Sequence, residues 1–218
     1  MDSNKNFNEK KNIKNYNQYL RIFFIINFSI YICILVGKAV SIDNINIFYK
    51  GLTLKDGVVV AASTIITFVL NGIFPSTLKY ILVFWRLKNP LPSYRVFSKF
   101  IDKDNRIDKS VIIKRYGTLP TEPNEQSKLW YKIYKPNEFD PMIFDSQRNF
   151  LLARDLTTIS FLILIIFPIG LVVSGIKVTS VLIYAIALIG EYIILAITAQ
   201  NYGKRFACNA LAIGSVKN

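Results

Sequence analysis

Four apolar stretches decide what this chain can become. Residues 20–40, 58–85, 156–173 and 178–199 each approach or exceed the roughly 20 helical residues needed to cross a hydrocarbon core. Backbone inside lipid must satisfy its own hydrogen bonds, so each stretch predicts a helix. The fold class is an all-α integral membrane protein with four transmembrane helices. With 52% apolar residues in 218, little is left for water beyond residues 1–19, 86–155 and 200–218. These are an N-terminal arm, a charged segment here called the hub, and a C-terminal tail.

Orientation follows from counting charge. The arm through Arg21 holds 5 Lys and Arg, the hub 14 and the tail 3, whereas the short loops between spans hold only Lys50, Lys55 and Lys177. Cytoplasmic segments collect basic residues, so both termini and the hub are expected in the cytoplasm of a multi-pass inner-membrane protein. The same bias accounts for the excess of 27 basic over 14 acidic residues without invoking DNA or RNA, and direct nucleic-acid binding ranks lower. Histidine is absent, and Cys33 and Cys208 stand far apart. Neither a metal site nor a disulfide framework is expected.

Local signals divide the chain further. A kink is expected over 71–75, where Pro75 cannot donate a backbone hydrogen bond. In the hub, Ser93 predicts the cap of a helix through Ile101. Asp108 predicts one running to Tyr116, with Gly117 as its stop. Thr121 or Asn124 predicts the start of a third, carrying Leu129, Trp130, Ile133 and Tyr134 on one side. Asp140-Pro141 opens a fourth, which meets no breaker before Pro168 and so is expected to run from the hub into the third span. Residues 174–177 make a tight turn to the fourth span.

Three groups of residues are candidates for function. Glu191 lies inside a span, where a carboxylate is costly unless it faces protein or water. It serves either an ion or proton path or a hydrogen-bonded packing contact. Asn71 and Glu191 each lie thirteen residues inside their spans, roughly 20 Å deep, and Asn27 about 10 Å from the opposite side. In a core ~30 Å thick these depths nearly coincide, predicting an intramembrane polar layer of Asn27, Asn71 and Glu191. In the hub, Arg86, Lys88, Arg95, Arg106, Trp130, Tyr131, Lys132, Arg148 and Arg154 are the candidate ligand or partner surface. Interleaved aromatic and basic residues stack a base and hold a phosphate, or else pack a small core. Ala199, Gly203 and Ala207 repeat every four residues and predict close helix packing, within the chain or between copies. Self-association is expected because a seventy-residue hub has a marginal core, with Trp130, Phe144 and Phe150 as residues to bury between subunits or against the spans.

The hub also carries a recurring pattern. It comprises Trp85-Arg86-Leu87-Lys88-Asn89-Pro90-Leu91-Pro92, Arg95, Phe97-Ser98, Arg106-Ile107-Asp108, Gly117-Thr118-Leu119-Pro120, Glu125-Gln126, Trp130-Tyr131, Arg148 and Phe150-Leu151-Leu152-Ala153-Arg154-Asp155. In these residues, about a third of the chain, it resembles a family of bacterial four-span membrane proteins associated with antiphage defence neighbourhoods. A glycine typical of the family after the second proline is Ser93 here. The resemblance implies a non-enzymatic, abortive-infection effector without cofactor. Its hub would sense a nucleotide second messenger or a cytoplasmic protein, and its spans would perturb the bilayer. Two other readings stand beside it: a small channel or transporter using Glu191, and a membrane anchor or scaffold for a soluble partner.

Overall fold

The first helix, α1, covers Asn17–Leu35. It ends where Val36 and Gly37 turn the chain, Gly37 at a positive φ of 71° that favours glycine. The sequence reading carried this span to residue 40, five residues past the helix end. The structure, a computed structural model, describes residues 16–37, 65–66, 68–70 and 72–216. Most of the arm, the 41–57 loop and Asn71 therefore lie outside the described residues, as does much of the 58–70 stretch.

Helical residues 72–73 give way to a bend at Phe74, and α2 begins after Pro75 at Ser76 and ends at Phe84. Trp85 then takes a left-handed conformation, φ 52°, and its amide closes the helix onto Ile81 O at 2.8 Å.

The expected helix from Ser93 to Ile101 is instead a chain of tight and wide turns. Residues Pro92–Arg95 and Ile101–Lys103 are 3₁₀ turns, and Val96–Phe100 between them is a π turn. Ser93 caps nothing; its hydroxyl lies 3.1 Å from that of Ser127. The cause is Gln126, which is fully buried. Its Oε1 accepts from the amides of Phe97 (3.1 Å) and Ser98 (3.2 Å), and its Nε2 donates to Thr121 O at 2.9 Å. One side chain holds amides that a regular helix would have used internally.

Helix α3, Lys109–Tyr116, matches its signals: Asp108 accepts from the amides of Ser110 and Val111, and Gly117 ends it at φ 82°. Helix α4, Pro123–Tyr134, starts between the two expected positions. Glu122 is its cap, accepting from Glu125 N, and Pro123 takes the first turn, where its missing N–H costs nothing. Helix α5 runs unbroken through Pro141–Val173, passing Pro168, with Asp140 accepting from Met142 N at 3.0 Å. Gly175 turns the chain at φ 75° as Ile176 N reaches back to Leu171 O, the paired closure that satisfies helix-end carbonyls. Helix α6 then covers Val178–Val216, so residues 200–216 continue the helix and are not a separate tail. All secondary structure among the described residues is helical.

Three helices, α1, α5 and α6, are long and apolar enough to cross a membrane. The chain divides into two compact units, one of Tyr16–Lys79 with Asp155–Leu195, the other including Tyr80–Arg154 and the chain from Ala196. The first, the span unit, is dressed for lipid. Its outer surface is Ile165, Ile166, Ile169, Leu182, Ile183, Ile186 and Ile194, while Asn27, Ser29, Asp155, Thr157, Thr158 and Ser160 are buried inside. That inverts the rule for a soluble domain, where a contiguous apolar surface of this extent is rare. The second, the hub unit, has an ordinary apolar core: Val96, Phe97, Ile101, Ile112, Trp130, Ile133 and Ile143 close around Ala207, Ala210 and Leu211 of α6.

Candidate functional site

In the hub unit, α4 buries Gln126, Trp130, Ile133 and Tyr134, a spacing that places all four along one helical face. The Trp130 and Tyr134 rings stack at 5.1 Å, 3° from parallel, and Phe206 of α6 stands edge-on to both. Trp130 Nε1 donates to Ala207 O at 3.0 Å, so the indole is oriented as well as buried. Beside this cluster lies a pocket of about 300 Å³. Tyr80, Tyr131, Tyr134, Phe150 and Phe206 supply aromatic walls, and Ser93 and Gln147 supply polar groups. Gln147 Oε1 accepts from Tyr134 OH at 3.2 Å, which leaves its amide N–H groups to face a ligand. Among the described residues, no charged side chain lines the pocket. Burial, with the Glu138 charge second, pushes the Tyr134 hydroxyl above its ordinary pKa, so it remains a neutral donor.

A more open basin adjoins the pocket, lined by Tyr94, Asn124, Ser127, Lys128 and Tyr131. Tyr131 belongs to both walls, and the Ser93–Ser127 hydroxyl pair joins the two rims. The arrangement suits a ligand with an uncharged ring and a polar extension.

The basic residues of the expected ligand surface divide by partner. Arg95 sends its guanidinium back to Asn89 O and Pro90 O, both at 3.3 Å, and lies 6.0 Å over the Phe84 ring. Burial, then the neighbouring Arg86 charge, lowers its pKa from the usual arginine value. Arg106 forks onto Asp104, with Nη2–Oδ2 at 2.7 Å and Nε–Oδ1 at 2.9 Å, and that bond holds the carboxyl below the usual range. Arg148 pairs with Asp145 at 3.1 Å, and Arg154 lies over Tyr80 and donates to its hydroxyl at 3.4 Å. Lys132 sits 5.8 Å over Tyr116. Arg86 and Lys88 are exposed, as is Tyr131, whereas Trp130 is core.

Ala199, Gly203 and Ala207 are all buried within the hub unit. A Cβ on Gly203 would meet Phe84 Cζ at 2.8 Å and Phe150 Cε2 at 3.1 Å. The stripe continues to Gly214, which leaves room only for Ile133. Trp130 and Phe150, expected at a subunit contact or against the spans, are buried by the hub unit's own helices; Phe144 is half-buried. Close packing inside one chain therefore accounts for the stripe.

In the span unit, Ser160 Oγ donates to Glu191 Oε1 at 3.0 Å, and the Asn27 amide also engages the Glu191 carboxyl. Asn27 is buried and donates to Phe23 O at 3.2 Å. Two members of the expected polar layer thus meet on α1 and α6; the third, Asn71, lies outside the described residues. The structure adds Ser160 of α5, an unremarkable serine in an apolar run. It adds a second cluster that sequence reasoning missed. Lys79 Nζ pairs with Asp155 Oδ1 at 3.4 Å, side chains 8% and 2% exposed, and Tyr16 OH donates to Asp155 Oδ2 at 3.0 Å. Nothing in the sequence places Lys79 beside Asp155, although a lone lysine in an apolar stretch signals the need for a partner.

A scan against family models and searches of curated proteins and solved structures gave no match to this chain.

Proposed function

We propose that the chain is a four-span effector of the bacterial inner membrane, with both termini and the hub in the cytoplasm. Residues 58–85 supply the fourth span, and the hub pocket receives a nucleotide signal or a partner's side chain. The single observation carrying this reading is that α5 and α6 each contribute to two cores. Ile143, Phe150 and Leu211 belong to the hub core, while Ile159, Leu171 and Leu188 are buried in the span unit, on the same two helices. Both helices run through the two units, so occupancy of the pocket beside Phe150 and Phe206 acts on elements that also build the span unit. The resemblance of the hub pattern to defence-associated membrane proteins supplies the biological setting, abortive infection, and no catalytic set is required for it.

The test is entry of a membrane-impermeant dye after induced expression, with and without the neighbouring genes of its native locus. An effector admits dye only when the signal is present, and Leu151→Trp, which fills the pocket, abolishes entry while leaving membrane insertion intact. Entry without any partner gene would favour a channel instead. A protein that admits no dye yet retains a soluble partner through purification would be an anchor.

A further inference from the structure

We infer that Thr198, Asn201, Tyr202 and Arg205 of α6 form a seat for the phosphate of an anionic phospholipid headgroup. The inference is independent of the hub pocket and needs only that α6 cross a bilayer. The four side chains line one groove of about 240 Å³. Their spacing, three and four residues apart, places them along one face of the helix. Ile194 and Ile197 precede them on that face at the same spacing, 66% and 46% exposed. From Val181 to Ile197 every exposed residue of α6 is apolar, and the next exposed residues are Asn201 and Arg205.

Helix geometry puts this change of chemistry at headgroup level. Residues 178–197 of α6 rise roughly 30 Å at 1.5 Å per residue, about the thickness of the hydrocarbon core. Thr198, Asn201 and Tyr202 occupy the next turn, where lipid phosphates lie. Helical Cα–Cβ bonds tilt toward the N-terminus, so Arg205, one turn further on, leans back toward the bilayer. The face therefore offers acyl chains a run of isoleucine and then offers the headgroup polar side chains.

Those side chains suit an anion. The guanidinium, the Asn201 amide and the Tyr202 hydroxyl can all donate hydrogen bonds, and Arg205 is the one charged group of the groove. Among the described residues, Arg205 takes part in no salt bridge, whereas Arg106 and Arg148 are paired with Asp104 and Asp145. A planar guanidinium matches two phosphate oxygens at once. No carboxylate lines the groove among the described residues, so nothing there receives the ammonium of a zwitterionic headgroup. A lipid whose only charge is its phosphate is favoured.

The test holds the full-length protein on resin in neutral detergent. It is equilibrated with mixed micelles carrying phosphatidylglycerol or phosphatidylcholine of the same acyl chains, and retained lipid is counted by mass spectrometry. Wild type should reach half-saturation with phosphatidylglycerol at about one tenth of the micellar fraction that phosphatidylcholine requires. Arg205→Gln, at an exposed position, should abolish that preference. Asn201→Leu and Tyr202→Phe should each reduce it. Lys132→Gln, the same loss of charge on the exposed side of α4, should leave it unchanged. An undiminished preference in Arg205→Gln overturns the proposal. So does an equal loss in Lys132→Gln, which would mark attraction to net charge alone. Displacement of phosphatidylglycerol by millimolar inorganic phosphate would also overturn it, marking a site for the free anion.

Discussion

Removing one member of the Lys79–Asp155 pair should damage the span unit far more than removing both. The side chains are 8% and 2% exposed and 3.4 Å apart, so solvent screening is slight. Asp155→Asn leaves the Lys79 ammonium buried without its counter-charge and weakens the acceptor for Tyr16 OH, 3.0 Å away. Breaking a buried pair costs about 3–5 kcal/mol, whereas replacing both charges by apolar groups is often close to neutral. For a chain of this size about 2–4 °C accompanies each kcal/mol, so Asp155→Asn should lower the melting temperature by roughly 6–20 °C. The triple change Lys79→Met, Asp155→Leu, Tyr16→Phe removes both charges and the hydroxyl together, and should recover most of that loss. Thermal unfolding in detergent, followed by far-UV circular dichroism, measures both. An Asp155→Asn protein melting within a degree or two of wild type would refute the reasoning, as would a triple variant melting no higher than the single.

Gly203→Val should cost about 1–3 kcal/mol from overpacking, against a smaller gain in helix propensity, because even a Cβ meets Phe84 and Phe150; unfolding of the hub unit in denaturant reads the difference. Gln126→Leu keeps the volume but strands the Phe97 and Ser98 amides, so hydrogen exchange over residues 92–103 should accelerate while α3 is protected as before. The Cys208 thiol, pushed up to about 11 by burial and then by the Asp104 charge, should resist thiolate-selective reagents at pH 8 until the protein is unfolded. Since its folded pKa lies above the ordinary thiol value of 9.0, its contribution to stability is present below about pH 9 and lost as pH rises toward 11.

Signals that act over one or two helical turns were legible in the sequence. Asp108 and Gly117 bracket α3, and Asp140-Pro141 starts α5, because a cap or a stop concerns only its neighbours. The small-residue stripe was legible too, but not its partner, since Phe84 and Phe150 lie far from Gly203 in the chain. The extent of α6 was not. Gln200, Asn201, Lys204 and Arg205 read as a solvated tail, yet the helix needs only its opposite face, Ala199, Ala207, Ala210 and Leu211, covered by the hub. The turns over 92–103 were hidden for the same reason: Gln126, nearly thirty residues away, decides where those amides bond. At the intramembrane cluster the glutamate announces itself by its cost, whereas Ser160 costs little in lipid and gives no signal until the helices are packed.

The membrane topology is the claim on which the rest depends, and site-directed labelling tests it most directly. In a background of Cys33→Ala and Cys208→Ala, single cysteines are placed at Ser174, in the turn between α5 and α6, and at Lys132 on the exposed side of α4. A membrane-impermeant maleimide applied to cells with a permeable outer layer should label Ser174→Cys at once. It should label Lys132→Cys only after the inner membrane is opened. Lys132→Cys labelled in cells with an intact inner membrane, or both positions labelled together before it is opened, would contradict a cytoplasmic hub carried by membrane-crossing helices.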